Sequence, residues 1–155
     1  MLNIVPATSP QEIGEIQTLF REYAAKIAEP CCFATFDEEL AALPGEYAPP
    51  GGVLLVARAG PQAAGCVALR RQDPSSGEMK RLYVRDRYRG SGLGRGLAGF
   101  AIEEARKRGY NRLLLDTLPK MTEAIALYRS LGFRETGPYS ATPTPGTMFF
   151  ELRFF

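Results

Sequence analysis

A loop rich in glycine and arginine has the residue types and spacing of an anion-binding site. It contains Arg89-x-x-Gly92-x-Gly94, follows an apolar strand pattern that ends at Val84, and precedes apolar residues at helical spacing. Glycine has no Cβ atom, so successive backbone amides can turn toward one point, where a helix N-terminus adds partial positive charge. The arginines supply full charges. This order of elements predicts a phosphate site rather than an ordinary surface turn.

The loop resembles the Arg/Gln-x-x-Gly-x-Gly/Ala signature of the GNAT superfamily of acyl-CoA-dependent N-acyltransferases. Residues 113–117 are similar to the next strand of that family, and residues 124–133 are similar to its A-x-x-x-Y-x-x-x-G-F segment. The resemblance covers residues 78–139 in the right order, and it implies acetyl-CoA as cosubstrate and no metal. It assigns the coenzyme to Leu82, Tyr83, Val84, Arg89, Gly90, Ser91, Gly92, Leu93, Gly94 and Arg95.

The resemblance also implies two catalytic residues. Glu78 lies eleven positions before Arg89, the spacing of the catalytic base in histone acetyltransferases of this superfamily. A lysine-like amine with a pKa near ~10.4 is almost fully protonated at pH 7, so a base helps it to attack a thioester. A solvated carboxylate is a poor base, so this role requires a buried position. The alternative is a strand-edge carboxylate paired with Lys80 or Arg81.

Tyr128 matches the family tyrosine that lies next to the coenzyme sulphur as general acid. A phenol is a weaker acid than a thiol, so Tyr128 is expected to act mainly by hydrogen bonding to the charge that develops on sulphur. A core tyrosine on an apolar helix face is the alternative. Many members carry asparagine where this chain has Met121, which predicts weaker coenzyme binding or a contact transferred to Thr122 or to backbone.

Composition excludes several kinds of site. The 155 residues include no histidine, which removes Ser-His-Asp and Cys-His catalysis and the usual histidine metal sites. Cys31, Cys32 and Cys66 do not form a disulfide framework or a zinc spacing, and reduced thiols predict a cytoplasmic protein. No signal or membrane-spanning pattern is present, and a net charge of +2 predicts neither nucleic-acid nor membrane binding.

The surrounding pattern predicts one domain over residues 1–155, with an antiparallel meander followed by helix crossovers. We expect an α/β fold with a mixed, mostly antiparallel sheet of six to seven strands and helices on both faces. Ser9 and Glu12 form a capping box for a first helix that runs to about Ala28, and Asp37 is the predicted cap of a second helix. The predicted strands lie near 2–5, 53–59, 63–70, 78–84, 112–117, from 133, and 147–154.

The resemblance implies that the strands carrying Glu78 and Asp116 splay apart to admit the pantetheine arm. It places the acceptor amine beside the segment between the first helices and the following strand. Residues 44–52 are too rich in proline and glycine for helix and otherwise form a stiff connector. The candidate acceptor contacts are Phe33, Phe36, Glu46 and Tyr47.

The predicted function is direct transfer of acetyl from acetyl-CoA to a primary amine in a ternary complex. Small metabolites, antibiotics, polyamines and protein amines all fit as acceptor, and family habit implies a homodimer. A second class stays open, an acyl-CoA-binding sensor without turnover, because a phosphate cradle establishes binding alone. The presence of both Glu78 and Tyr128 favours the enzyme.

Two other interpretations of the loop, as a dinucleotide-binding fingerprint and as a nucleic-acid-binding module, are rejected. Gly94, Gly96 and Gly99 match a dinucleotide fingerprint, with Asp116 at the end of the next strand, but Gly94 lies ten residues beyond Val84 and inside the helix. A nucleic-acid module would need more than a local basic cluster.

Overall fold

The computed structural model describes residues 2–28, 35–141 and 143–155, and these form a seven-stranded sheet in the order β1-β2-β3-β4-β5-β7-β6. The strands are β1 (Leu2–Pro6), β2 (Val53–Ala59), β3 (Gln62–Asp73), β4 (Ser76–Val84), β5 (Arg112–Thr117), β6 (Arg134–Thr136) and β7 (Met148–Arg153). Neighbouring strands are antiparallel except for β4 and β5, which are parallel. The predicted fold class is confirmed.

Four α-helices lie in the described ranges: α1 (Pro10–Ile27), α2 (Phe36–Ala42), α3 (Leu93–Lys107) and α4 (Thr122–Ser130). The predicted capping box is confirmed, because Ser9 Oγ accepts from the Glu12 amide while Glu12 accepts from the Ser9 amide. The predicted cap at Asp37 is wrong. Helix α2 begins one residue earlier, so Asp37 lies in its first turn, where its charge still favours the helix dipole.

Two apolar layers cover opposite faces of the sheet. Helix α3 packs on one face through residues such as Leu97, Ala101 and Ala105, and Tyr128 of α4 joins the same layer. Helices α1 and α2 cover the other face through residues such as Phe20 and Leu40. The sheet is therefore buried on both sides, and access to its interior requires a break between strands.

That break lies between β4 and β5. Their pairing covers three positions, which end at Glu78 opposite Leu114, although both strands continue beyond this point. Within the described ranges, the edge of β4 that faces β5 therefore has no neighbouring strand after Glu78. Its backbone donors and acceptors are available to a ligand.

A β-bulge bends β4 beside this break. The β3–β4 register shifts between Cys66 and Ala68, and Arg81 adopts a left-handed backbone with φ of 60°. Such a backbone is costly for a residue other than glycine, so surrounding contacts must hold it. Arg81 receives them from Glu39, which accepts two guanidinium hydrogen bonds of 2.9 and 3.1 Å, and from the Phe36 ring 5.4 Å away.

Candidate functional site

The glycine and arginine loop presents a run of free backbone amides. The amides of Tyr88 and Arg89 donate to carbonyls of the preceding turn, and the Gly96 amide donates to Gly92 at 3.0 Å. Between them, the amides of residues 90–95 have no hydrogen-bond acceptor in the part of the chain that the structure describes. They occupy the turn before α3 and its first residues, where the helix dipole favours an anion.

Two glycines shape this loop. Gly90 and Gly92 have φ of 78° and 81°, and Gly92 is the residue that caps α3. Both lie in the left-handed region, which other residues adopt at a cost. Ser91 Oγ donates to the Tyr88 carbonyl at 2.5 Å and closes the turn.

The loop opens onto a groove of about 480 Å³ between β4 and α4. Arg89 lines the groove, is half exposed, and makes only long contacts of 3.4 Å with Asp86 and Glu123. Its guanidinium can therefore turn to a ligand at little cost. Arg95 instead donates to Ser130 Oγ at 2.6 Å, on the far side of the first turn of α3. The predicted coenzyme residues on the groove wall are Leu82, Tyr83, Val84, Arg89, Gly90, Gly92, Leu93 and Gly94.

A smaller cavity of about 190 Å³ lies in the gap between β4 and β5. Tyr128 lines it, together with residues of both strands and of the segment before β7. The groove and the cavity share five lining residues, Tyr23, Ile27, Leu82, Met121 and Ala124. The two spaces are therefore adjoining parts of one opening, which leads from the loop amides to Tyr128.

Tyr128 presents an unused hydroxyl to this cavity. The residue is 7% exposed, its ring lies 5.8 Å from that of Phe133, and its hydroxyl makes no hydrogen bond within the described ranges. Burial raises the pKa of Tyr128 above its ordinary value, and nearby Tyr23 and Asp116 add to the rise. The hydroxyl therefore stays protonated near neutral pH and is available as a hydrogen-bond donor.

Glu78 lies beside the cavity rather than on its wall. The residue is 1% exposed, and both its carboxylate oxygens accept hydrogen bonds, one from Arg70 Nε at 2.7 Å and one from the Tyr139 hydroxyl at 2.5 Å. Arg70 also pairs with Glu46. Burial and the neighbouring Glu78 raise the pKa of Tyr139, so it too stays protonated. Glu78 is thus the centre of a buried network, and the alternative pairing with Lys80 or Arg81 is not seen.

The candidate acceptor contacts are dispersed. Phe33 lies outside the described residues. Tyr47 is 1% exposed and packs edge-on against Phe20, and its hydroxyl makes no hydrogen bond with the described residues. Phe36 stacks with Arg81 in the layer under α1 and α2. Neither Phe36 nor Tyr47 is on the described wall of the cavity, so their contact with an acceptor stays a prediction.

Three site residues were not predicted. Lys80 and Asp116 line the cavity, and Tyr139 bonds to Glu78 across 61 positions of sequence. Asp116 is the penultimate residue of β5. No local sequence pattern brings the first two together, because they lie equally far beyond the last β4–β5 pair, Glu78 and Leu114, which only the strand register shows.

A scan of family models matches residues 15–133 to the Acetyltransferase (GNAT) family. The chain belongs to the GNAT acetyltransferase family. An uncharacterised N-acetyltransferase of Schizosaccharomyces pombe is 38% identical over 153 residues, which cover 97% of this chain and 94% of the relative. The unpaired amides, the groove and the gap between β4 and β5 are therefore features of a GNAT chain.

Solved GNAT structures share the fold over the full length. An acetyltransferase of Streptococcus agalactiae superposes with a TM-score of 0.83 at 19% identity, covering 99% of this chain and 98% of that one. An acetyltransferase of Salmonella typhimurium, solved with its cofactor acetyl-CoA, superposes with a TM-score of 0.75 at 20% identity, covering 100% and 95%. At these identities the likeness is one of fold.

The described residues offer neither a metal-binding cluster nor a membrane-spanning helix. No group of three or more histidine, cysteine, aspartate or glutamate side chains there could hold a metal ion. No helix in those ranges has the length and apolar character to cross a bilayer.

Proposed function

We propose that this GNAT chain, as one domain over residues 1–155, transfers an acetyl group from acetyl-CoA to a primary amine by direct attack in a ternary complex. The observation that carries the proposal is the continuous opening from the unpaired amides of residues 90–95 to the free hydroxyl of Tyr128. An anion site at one end and a buried proton donor at the other suit a ligand with a diphosphate head and a thioester tail.

The loop suits the diphosphate. Its amides provide several donors, and Arg89 provides a cation whose present contacts are weak. The unpaired edge of β4 from Leu82 to Val84 would bond to the amides of the pantetheine arm. Met121 lines both spaces but offers no hydrogen-bond donor from its side chain, so the hydroxyl of Thr122 or backbone would serve where relatives use asparagine.

When bound, acetyl-CoA supplies a thioester whose acyl carbon the amine attacks. Tyr128 would donate a hydrogen bond to the sulphur as negative charge develops there. Because the pKa of Tyr128 is raised, hydrogen bonding rather than complete proton transfer is the expected contribution. A backbone amide near Leu82, on the unpaired edge of β4, would stabilise the oxyanion.

Glu78 stays the proposed base. Each of its oxygens keeps a lone pair beyond the bonds from Arg70 and Tyr139. Since neither Glu78 nor Tyr139 is on the cavity wall, the amine proton would reach Glu78 through water, either directly or by way of the Tyr139 hydroxyl. In the second route, the hydroxyl oxygen accepts the amine proton as its own proton passes to Glu78.

The test is release of free CoA thiol in the presence of acetyl-CoA and a broad panel of primary amines. We expect amine-dependent release by the wild type, and a fall in kcat of about ten- to hundredfold for Tyr128→Phe, which removes one hydrogen bond to the leaving group. Glu78→Gln should lower kcat most strongly below neutral pH, where free amine is scarcest. Unchanged release by Tyr128→Phe would remove its role, and no release with any amine would favour the sensor.

The predicted homodimer and cytoplasmic location stay predictions.

A further inference from the structure

Two side chains of opposite charge line the cavity without partners. Lys80 belongs to β4 and Asp116 to β5, and neither forms an ion pair or a side-chain hydrogen bond with the described part of the chain. The third charged side chain on the described wall is neutralised by an ion pair. Arg81, also on the wall, is held by Glu39, and its side chain is only 9% exposed. Among the described residues of the wall, the free charges are therefore one cation and one anion.

The strand register places these two residues at equivalent positions across the gap. The last paired residues of β4 and β5 are Glu78 and Leu114. Lys80 is two residues beyond the pair on β4, and Asp116 is two residues beyond it on β5. Residues two apart on a strand point to the same side, so the separation of the strands opens one space between Lys80 and Asp116.

The rest of the cavity suits a small polar ligand. Its volume is about 190 Å³, and the remaining polar side chains on its described wall carry hydroxyls, from Tyr23, Thr117, Tyr128, Ser140, Thr144 and Thr147. Asp116 lies close enough to Tyr128 to raise its pKa, so a group held by Asp116 is near the proposed site of transfer. A large or multiply charged acceptor would not match this wall.

We propose that the acceptor is a small amine that also carries a carboxylate, of the α-amino-acid type. The Lys80 ammonium binds the carboxylate, and the Asp116 carboxylate binds the ammonium before its proton is removed. If the bound amine has no carboxylate, the Lys80 ammonium stays unpaired next to the ammonium of the ligand. Lys80 therefore favours amines that carry a carboxylate and disfavours amines that do not. This inference rests on the proposed acetyl transfer and names its acceptor.

The experiment compares matched acceptors that differ in one group. Alanine, leucine, methionine and glutamine are each assayed as the free acid, as the α-carboxamide and as the decarboxylated amine, with release of CoA thiol as readout. For the best side chain, kcat/KM for the free acid should exceed that of the other two forms by about ten- to hundredfold, the range expected for one charged hydrogen-bonded pair.

Variants of Lys80 test the assignment to this residue. Lys80→Met should remove the preference for the free acid, mainly through KM, and Lys80→Arg should largely keep it. Lys80→Glu should shift the preference to amines without a carboxylate. Lys107→Met is the matched control, because Lys107 lies on α3 with a side chain 72% exposed and should leave all three rates unchanged. Thermal stabilisation by acetyl-CoA shows that each variant is folded.

Three results would overturn the inference. In the first, the decarboxylated amines react as well as the acids. In the second, Lys80→Met keeps the wild-type preference. In the third, other amines or peptides are acetylated but no free acid is, which leaves the proposed function standing. Absence of turnover with every amine would instead remove the proposed function and this inference together.

Discussion

The loop that precedes α3 and the face of the sheet that carries Glu78 handle charge in opposite ways. In the loop, the amides of residues 90–95 have no acceptor among the described residues, and the half-exposed Arg89 guanidinium makes contacts with them no shorter than 3.4 Å. On the sheet, Glu78 is buried and both its oxygens are engaged by Arg70 and Tyr139. The loop leaves its donors available to a ligand, whereas the charged groups around Glu78 are paired with one another.

The difference indicates that the loop donors are available to a ligand, whereas the network around Glu78, whatever its part in catalysis, also stabilises the fold. Unpaired amides at a helix N-terminus cost little while water solvates them, and they gain when an anion arrives. A buried carboxylate without its partners would cost several kcal/mol, so its network must form as the protein folds. Changes in the loop should therefore affect binding, and changes in the network should affect stability.

The largest expected effect is that of Arg70→Met. This variant leaves the Glu78 carboxylate buried without its cation and should lower the free energy of unfolding by about 3 kcal/mol. Urea denaturation measures it. The matched control is Arg89→Met in the loop, which should cost less than about 0.5 kcal/mol. Equal losses in the two variants would show that the contrast between the regions is false.

The second-largest expected effect is that of Gly92→Val on acetyl-CoA binding. The backbone of Gly92 has φ of 81°, and a β-branched residue there is strained by about 1–3 kcal/mol, although a Cβ would meet no atom within 4 Å. The strain should turn the loop amides and weaken acetyl-CoA binding about tenfold or more, as calorimetric titration would measure. Gly99→Ala is the control: it lies in α3 with open space around it and should keep the affinity.

Arg89→Met should weaken acetyl-CoA binding by about tenfold, since it removes one charged hydrogen bond to a phosphate. The affinity of the variant should also depend less on salt than that of the wild type. Titrations at two ionic strengths provide the comparison. An affinity and a salt dependence equal to those of the wild type would exclude Arg89 from the phosphate site.

The smallest effect concerns the ion pair that fixes the start of the loop to α1. Hydrogen bonds from Arg85 hold the pKa of Glu22 below its ordinary value of 4.5. A carboxyl with a lowered pKa stabilises the folded state above 4.5, and this contribution is lost as the pH falls through the folded value. Glu22→Gln should therefore cost less than about 1 kcal/mol at pH 7, and the cost should shrink in acid. A cost that is constant from pH 7 to pH 3 would contradict this.

The sequence predicted the loop better than the network for a physical reason. The loop is made by adjacent residues, from the end of β4 through Gly92 into α3, so its pattern is visible in one stretch. Tyr128 could be placed because its segment carries its own motif. The bond between Tyr139 and Glu78 joins residues 61 positions apart, and no local pattern encodes it.

The bulge, the pair of charges in the cavity and the start of α2 depend on strand register and tertiary packing. The bulge at Arg81 depends on Glu39 and Phe36, which are brought to it by tertiary packing. Lys80 and Asp116 become neighbours across a gap only once β4 and β5 pair over three positions and then separate. Asp37 was predicted as a cap because its residue type favours that position, but α2 begins at Phe36 with Thr35 as its N-cap residue.

The most direct test of the account is the thermal stability of the wild type with acetyl-CoA, with CoA and with NAD, each at equal concentration. A ligand at one hundred times its dissociation constant adds about 2.7 kcal/mol to the folded state. We expect acetyl-CoA and CoA to raise Tm and NAD to leave it unchanged. A rise with NAD alone, or no rise with acetyl-CoA, would contradict the assignment of the loop amides to the coenzyme diphosphate.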